Sequence, residues 1–125
     1  MRLWHKDLIP LLPRQQLLGQ HRECCALRGK GWGKKHSTVD YVWQYGYKSL
    51  FNYHTFVIKE MDKRKYKVGY DWYISEYRGL RLGFDFTGFT HSTLETVDTY
   101  PEHNQAYYQE CLDNLKAKGV LFHER

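Results

Sequence analysis

The sequence predicts a mainly α fold: one domain of three helices with long irregular connections, and room for a short strand pair near residues 80–86. Three observations carry this reading. Apolar residues recur at helical spacing in two windows, 47–65 and 101–118. A third window, 14–27, lies between a proline able to start a helix and a glycine cluster able to stop one. The chain has 125 residues, of which 42% are apolar or aromatic, enough for one core. Residues 1–125 are therefore read as a single domain.

The elements follow in order. Residues 1–12 read as an extended lead-in. Pro13 suits the first turn of a helix that runs to about Leu27, where Gly29, Gly31 and Gly33 end it. Residues 34–46 are ambiguous between strand, helix and loop. In the second helix, from about Tyr47 to Lys65, Leu50, His54, Val57, Ile58 and Met61 form one stripe. Lys59, Lys63, Arg64 and Lys65 load its last turns with positive charge, as the helix dipole favours. Between residues 66 and 98, Leu80, Leu82, Phe84 and Phe86 alternate with period two, a strand signal, although Gly79, Gly83 and Gly88 equally permit a loop. The third helix runs from about Pro101 to Lys118, with Tyr108, Cys111, Leu112 and Leu115 inward and Gly119 closing it.

Composition narrows the function. A net charge of +5 attracts polyanions, and four Trp, eleven Tyr and six Phe supply rings that fill cores or stack on bases. Three cysteines, Cys24, Cys25 and Cys111, without CxxC spacing, argue against a disulfide framework and a zinc site. His5, His21, His36, His54, His91, His103 and His123 are scattered, with no HxxxH or HxH pair. No metal and no cofactor are expected. No run is apolar and long enough for a signal peptide or a membrane span, so the expectation is a cytoplasmic protein without a membrane partner.

The stretch RQQLLGQHREC, residues 14–24, is unusual. At about 100° per residue, Gln15, Gln16, Gly19, Arg22, Glu23 and Ala26 share one side of the helix. Leu17, Leu18, His21, Cys24 and Cys25 take the other. Such a mixed polar face is ordinarily just a solvated face. Yet glycine and alanine among longer polar groups let something approach the backbone. An arginine can hold a phosphate through a fork of hydrogen bonds, and a glutamate can move protons.

This stretch resembles the pyrimidine-dimer DNA glycosylase family, the endonuclease V type known from phage, and looks closer still to its small bacterial members. The resemblance rests on Arg2 and Leu3 at the start, then Gln15, Leu17, Leu18, Gly19, Arg22 and Glu23, with His21 at an aromatic position. The runs KKHSTVDYV, YKSLFNYHTFVIKEM and YPEHNQAYYQECLDNLKAKG fall where the family has its later elements. The resemblance implies a DNA repair glycosylase with abasic-site lyase activity. Its nucleophile would be an α-amine that attacks the sugar C1′, expels the base and forms a Schiff base, after which β-elimination cuts the strand. Met1 would carry that amine and Glu23 would be the catalytic carboxylate. Arg2, Gln15, Gln16 and Arg22 would bind DNA. A free α-amine, with a pKa of about 7.7–8.0, is substantially neutral at physiological pH.

The expected partner is double-stranded DNA carrying a damaged or abasic site, with the protein a monomer. Gln16 stands where the phage enzyme has a histidine, and Ala26 and Cys111 where it has arginines, with Arg28 close to Ala26. Lyase chemistry at an abasic site is therefore better supported than recognition of pyrimidine dimers. The alternative is a non-catalytic DNA-binding module that retains the family fold.

Overall fold

Pro13 fixes the entry to the first helix, α1 (Arg14–Arg28), and its carbonyl accepts the Leu17 N–H at 3.0 Å. Gly29 ends α1, its N–H donating to Cys25 O at 3.1 Å. The second helix is α2 (Tyr47–Lys63) and the third α3 (Gln105–Ala117). The computed structural model describes residues 3–29, 45, 47–80, 83–84 and 100–122. Among these the fold is mainly α, without a strand longer than an isolated bridge. No helix among them is long and apolar enough to cross a membrane.

α1 packs chiefly on α2, and one core joins all three helices. Leu17, Cys24 and Leu27 enter it from α1, Leu50, Tyr53, Val57 and Met61 from α2, and Cys111 and Leu115 from α3. The whole predicted stripe of α2 is buried. Leu3, Trp4, Leu8, Ile9 and Leu12 add the start of the chain to the same core.

That start is not extended throughout. Lys6–Leu11 forms a 3-10 helix. His5 caps it, its Nδ1 accepting from the Asp7 N–H at 3.0 Å. Its open carbonyls are met by Arg64, the residue just past α2, whose Nη1 donates to Leu12 O at 2.7 Å and Nη2 to Pro10 O at 3.0 Å, while Nε donates to Glu60 at 2.7 Å. Arg64 thus tethers the lead-in, a role its sequence position at a helix end does not reveal.

α2 stops two residues before the predicted Lys65. Tyr66 N–H returns to Met61 O and Lys65 N–H to Asp62 O, with Lys65 at φ 64. This is the left-handed closing position that glycine prefers. Lys65→Gly is expected to raise stability by about 1 kcal/mol, read as a higher urea midpoint. α3 begins later than Pro101: Asn104 is its N-cap and accepts the Tyr107 N–H at 2.9 Å. A side-chain acceptor satisfies an orphan donor, which proline cannot do. Gly119, at φ 73, closes α3 as expected.

The alternation at 80–86 does not make a strand at Leu80, which sits in a turn and is 99% exposed. Tyr77 and Phe84 form one antiparallel bridge, and Arg78 N–H to Gly83 O (2.8 Å) and Gly83 N–H to Gly79 O (2.7 Å) tighten the turn between them. Gly79 at φ 106 and Gly83 at φ 64 take the conformations the turn needs. Leu82 and Phe86 lie outside the described residues, as does 34–46 apart from Tyr45.

Burial pushes the His103 imidazole down to about 3, with the neighbouring His5 adding to the effect. Burial likewise lowers His54, helped by Arg28 and then His21, and lowers His21, helped by Arg22 and then Arg28. An unfolded histidine takes a proton below about pH 6.5, whereas the folded His103 does so only near 3. The unfolded state therefore binds more protons in this window, and stability falls as pH drops through it. From His103 alone, urea unfolding is expected to show a loss of about 2 kcal/mol between pH 7 and pH 5.

Candidate functional site

A buried arc divides α1 into two flanks. Leu17, Gln20, Cys24, Leu27 and Arg28 are buried. On one flank Gln16, Gly19 and Glu23 are half-buried and Gln15, Arg22 and Ala26 exposed. This is the polar face predicted from the helical spacing, intact. Among the described residues, no side-chain hydrogen bond or ion pair engages Gln15, Gln16, Arg22 or Glu23, so the fold leaves their polar groups uncommitted. A Cβ placed on Gly19 would meet only the Arg22 guanidinium, at 3.9 Å. Among the described residues, then, Gly19 serves no helix packing, and its backbone is open to an incoming molecule.

The chain start is tied beside this flank. The Trp4 N–H donates to Gln20 Oε1 at 2.7 Å. The Tyr53 hydroxyl donates to Trp4 O at 2.5 Å, and the Tyr107 hydroxyl to Leu3 O at 2.7 Å. Gln20 lies one turn from both Gln16 and Glu23, so the three side chains line one edge of α1. Met1 and Arg2 lie outside the described residues.

Arg28, which sequence position puts close to the polar face, is fully buried on the other side and has no part in a surface contact. All five of its N–H donors have acceptors. Nε donates to the Tyr47 hydroxyl (2.9 Å), Nη1 to His54 Nδ1 (3.0 Å) and Trp72 O (2.8 Å), and Nη2 to Ile74 O and Tyr77 O (both 2.9 Å). The Trp72 and Phe51 rings flank the guanidinium at 4.9 and 5.2 Å. The segment 70–77, which begins with the 3-10 helix Tyr70–Tyr73, is thereby fastened to α1 and α2. Arg78 Nε donates back to Arg28 O. Gly29 allows this close approach: a Cβ there would stand 2.7 Å from Arg78 O.

On the second flank His21, Cys25 and His54 come together, a cluster the sequence scan for histidine pairs missed. The local signal was His21 and Cys25 four residues apart on one helix; His54 arrives from α2. His21 Nδ1 is 2.9 Å from His54 Nε2, and Cys25 Sγ is 3.8 and 3.9 Å from the same atoms. These spacings resemble those of metal ligands, but the protons point elsewhere. An arginine only donates, so His54 Nδ1 accepts and Nε2 carries the proton toward His21. A cation would have to displace that proton while Nδ1 faces a guanidinium instead of the acceptor that normally orients a ligating imidazole. Burial also pushes the Cys25 thiol up to about 12, against the nearby Arg28 charge. The cluster reads as a hydrogen-bonded chain, Arg28 to His54 to His21.

A separate open groove of about 540 Å³ runs between the first 3-10 helix and α2. Lys6, Lys59 and Lys63 line it with Asp7 and Glu60. Glu60 is engaged by Arg64, so the groove presents a positive surface to solution.

The family model for pyrimidine dimer DNA glycosylase matches residues 1–74. That range contains the lead-in, α1 and α2, and thus the whole candidate face. No curated protein and no solved structure matches the chain.

Proposed function

Because the chain belongs to the pyrimidine dimer DNA glycosylase family, we propose that it is a DNA glycosylase with abasic-site lyase activity, working through the α-amine of Met1 on damaged duplex DNA. The observation that carries this reading is the tether of the chain start to Gln20, one helical turn from Glu23. Two residues reach at most about 7 Å, and the reading takes an amine two residues before Leu3 to work at the α1 polar edge.

Each residue has a task in the reaction. The Met1 amine, neutral in part at pH 7, attacks C1′ of the target sugar and the base leaves. The Glu23 carboxylate, in its half-buried setting, stabilises the cationic sugar and imine and moves protons during elimination. Arg22 and Arg2 hold phosphates beside the target; Gln15 and Gln16 hydrogen-bond the strand next to it. The open backbone at Gly19 admits the strand close to α1. C1′ is shielded in an intact duplex, so the target nucleotide is drawn out of the stack. In this reading residues 1–125 work as one domain and the protein as a monomer.

Borohydride reduction in the presence of a duplex with one abasic site tests this. The expected result is a covalent protein–DNA species that forms with the unmodified terminus and not after selective acylation of the α-amine. A purely DNA-binding protein would instead show salt-dependent affinity and no trapped species.

A further inference from the structure

We infer that Gln20, Tyr53 and Tyr107 are positioning residues for the nucleophile, a clamp from three helices that sets where the chain's terminal amine can sit. The inference rests on the reading of function above, since it assigns the clamp a place in that reaction.

The clamp is specific in what it holds. Leu3 O and the Trp4 N–H are the two polar groups of a single peptide unit. Tyr107 of α3 binds the oxygen at 2.7 Å, and Gln20 of α1 binds the N–H at 2.7 Å. Tyr53 of α2 binds Trp4 O, the carbonyl of the next unit, at 2.5 Å, with its hydroxyl 3.1 Å from Gln20 Oε1. Both flanking side chains are anchored as well, Leu3 at 0% and Trp4 at 8% exposure. A peptide unit is planar, so gripping it at both edges fixes its plane and not only its position.

Chain ends ordinarily fray unless tied down. Burying Leu3 and Trp4 would suffice to tie this one down. Three side chains spent on the backbone polar groups of adjacent peptide units do more, because they fix direction. Direction matters to a terminal amine acting as a nucleophile, where a misplacement of about 1 Å can cost roughly 10²-fold in rate. The same Gln20 that grips Trp4 stands in line with Glu23 on α1, so the clamp ties the amine's origin to the carboxylate through one rigid helix. None of the three touches substrate in this scheme; each acts through the backbone.

Tyr107→Phe and Tyr53→Phe remove only a hydroxyl and keep the ring. Gln20→Leu keeps the volume and removes the acceptor. Tyr107 is half-buried, which makes its variant the mildest. Four quantities are read for each: the single-turnover rate of borohydride trapping, affinity for an abasic duplex, thermal midpoint, and hydrogen exchange at the Trp4 amide. The clamp predicts a trapping rate at least tenfold slower at unchanged DNA affinity, below the unfolding temperature, together with faster Trp4 exchange in Gln20→Leu. A merely structural role would lower the midpoint and leave the trapping rate alone; rates within twofold of the parent in all three variants would overturn the inference while the proposed function stands. If the parent protein itself forms no trapped species, the proposed function fails. The clamp is then judged on Trp4 exchange alone: protection in the parent that is lost in Gln20→Leu upholds the pinning, and an unprotected parent amide refutes it.

Discussion

Glu23→Gln is expected to lower cleavage of an abasic duplex by about 10²–10⁴-fold, the range over which a positioned acid–base group contributes. The substitution is nearly isosteric. Glu23 is half-buried on the edge of α1, and no other side chain among the described residues depends on it for a hydrogen bond or ion pair. The fold should therefore be unaffected. Glutamine cannot take up a proton and brings no negative charge to a developing cation, so both tasks assigned to the carboxylate are lost. Affinity for the duplex should hold or rise slightly, because a negative group has been removed from a basic surface. The check is a single-turnover cleavage rate measured with saturating protein, beside a direct titration of binding. A fall in affinity that accounts for the whole fall in rate would assign Glu23 to DNA binding and remove it from the chemistry.

Arg28→Met is expected to cost more stability than any other single change considered, at least about 3 kcal/mol. Methionine fills similar space, so a cavity is not the cause. The loss comes from acceptors: His54 Nδ1 (3.0 Å), Trp72 O (2.8 Å) and Ile74 O (2.9 Å) lose the guanidinium, whereas Tyr77 O keeps the Tyr47 hydroxyl at 3.0 Å. Each buried acceptor left without a donor costs about 1–3 kcal/mol, against about 5–15 kcal/mol for the stability of a whole small domain. Arg28→Lys keeps the charge but offers three donors where five are used, and should fall between the two. Urea denaturation followed by tryptophan fluorescence measures the effect, since Trp72 lies 4.9 Å from the guanidinium and reports the same junction. A variant with an unchanged midpoint would show that the 70–77 segment is held by other contacts.

The helices were legible because their evidence is local. The stripe Leu50, His54, Val57, Ile58 and Met61 states its own period, and every member is buried. The polar face of α1 was legible for the same reason. Gln20 and Arg28 were not, because a polar residue on an apolar arc looks like an interruption of the pattern. Its justification lies in partners remote in sequence: Trp4 and Tyr53 for Gln20, residues 47, 54, 72, 74 and 77 for Arg28. The histidines misled in the same way. Linear spacing shows no pair, yet His21 meets His54 across two helices and His5 stacks on His103 at 5.5 Å. Alternation at 80–86 allowed a strand or a loop, and among the described residues Gly79 and Gly83 at positive φ turn the chain while Tyr77 and Phe84 form one bridge. The catalytic assignment came from family resemblance, and the structure adds the bond from the Trp4 N–H to Gln20, one helical turn from Glu23.

The most direct test of the account is to reduce the protein–DNA imine with borohydride, digest the adduct and locate the modified peptide by mass. The account predicts a sugar remnant on the amino-terminal peptide, at the α-nitrogen of Met1. Strand cleavage with no adduct, or with the remnant on a lysine side chain, would contradict it.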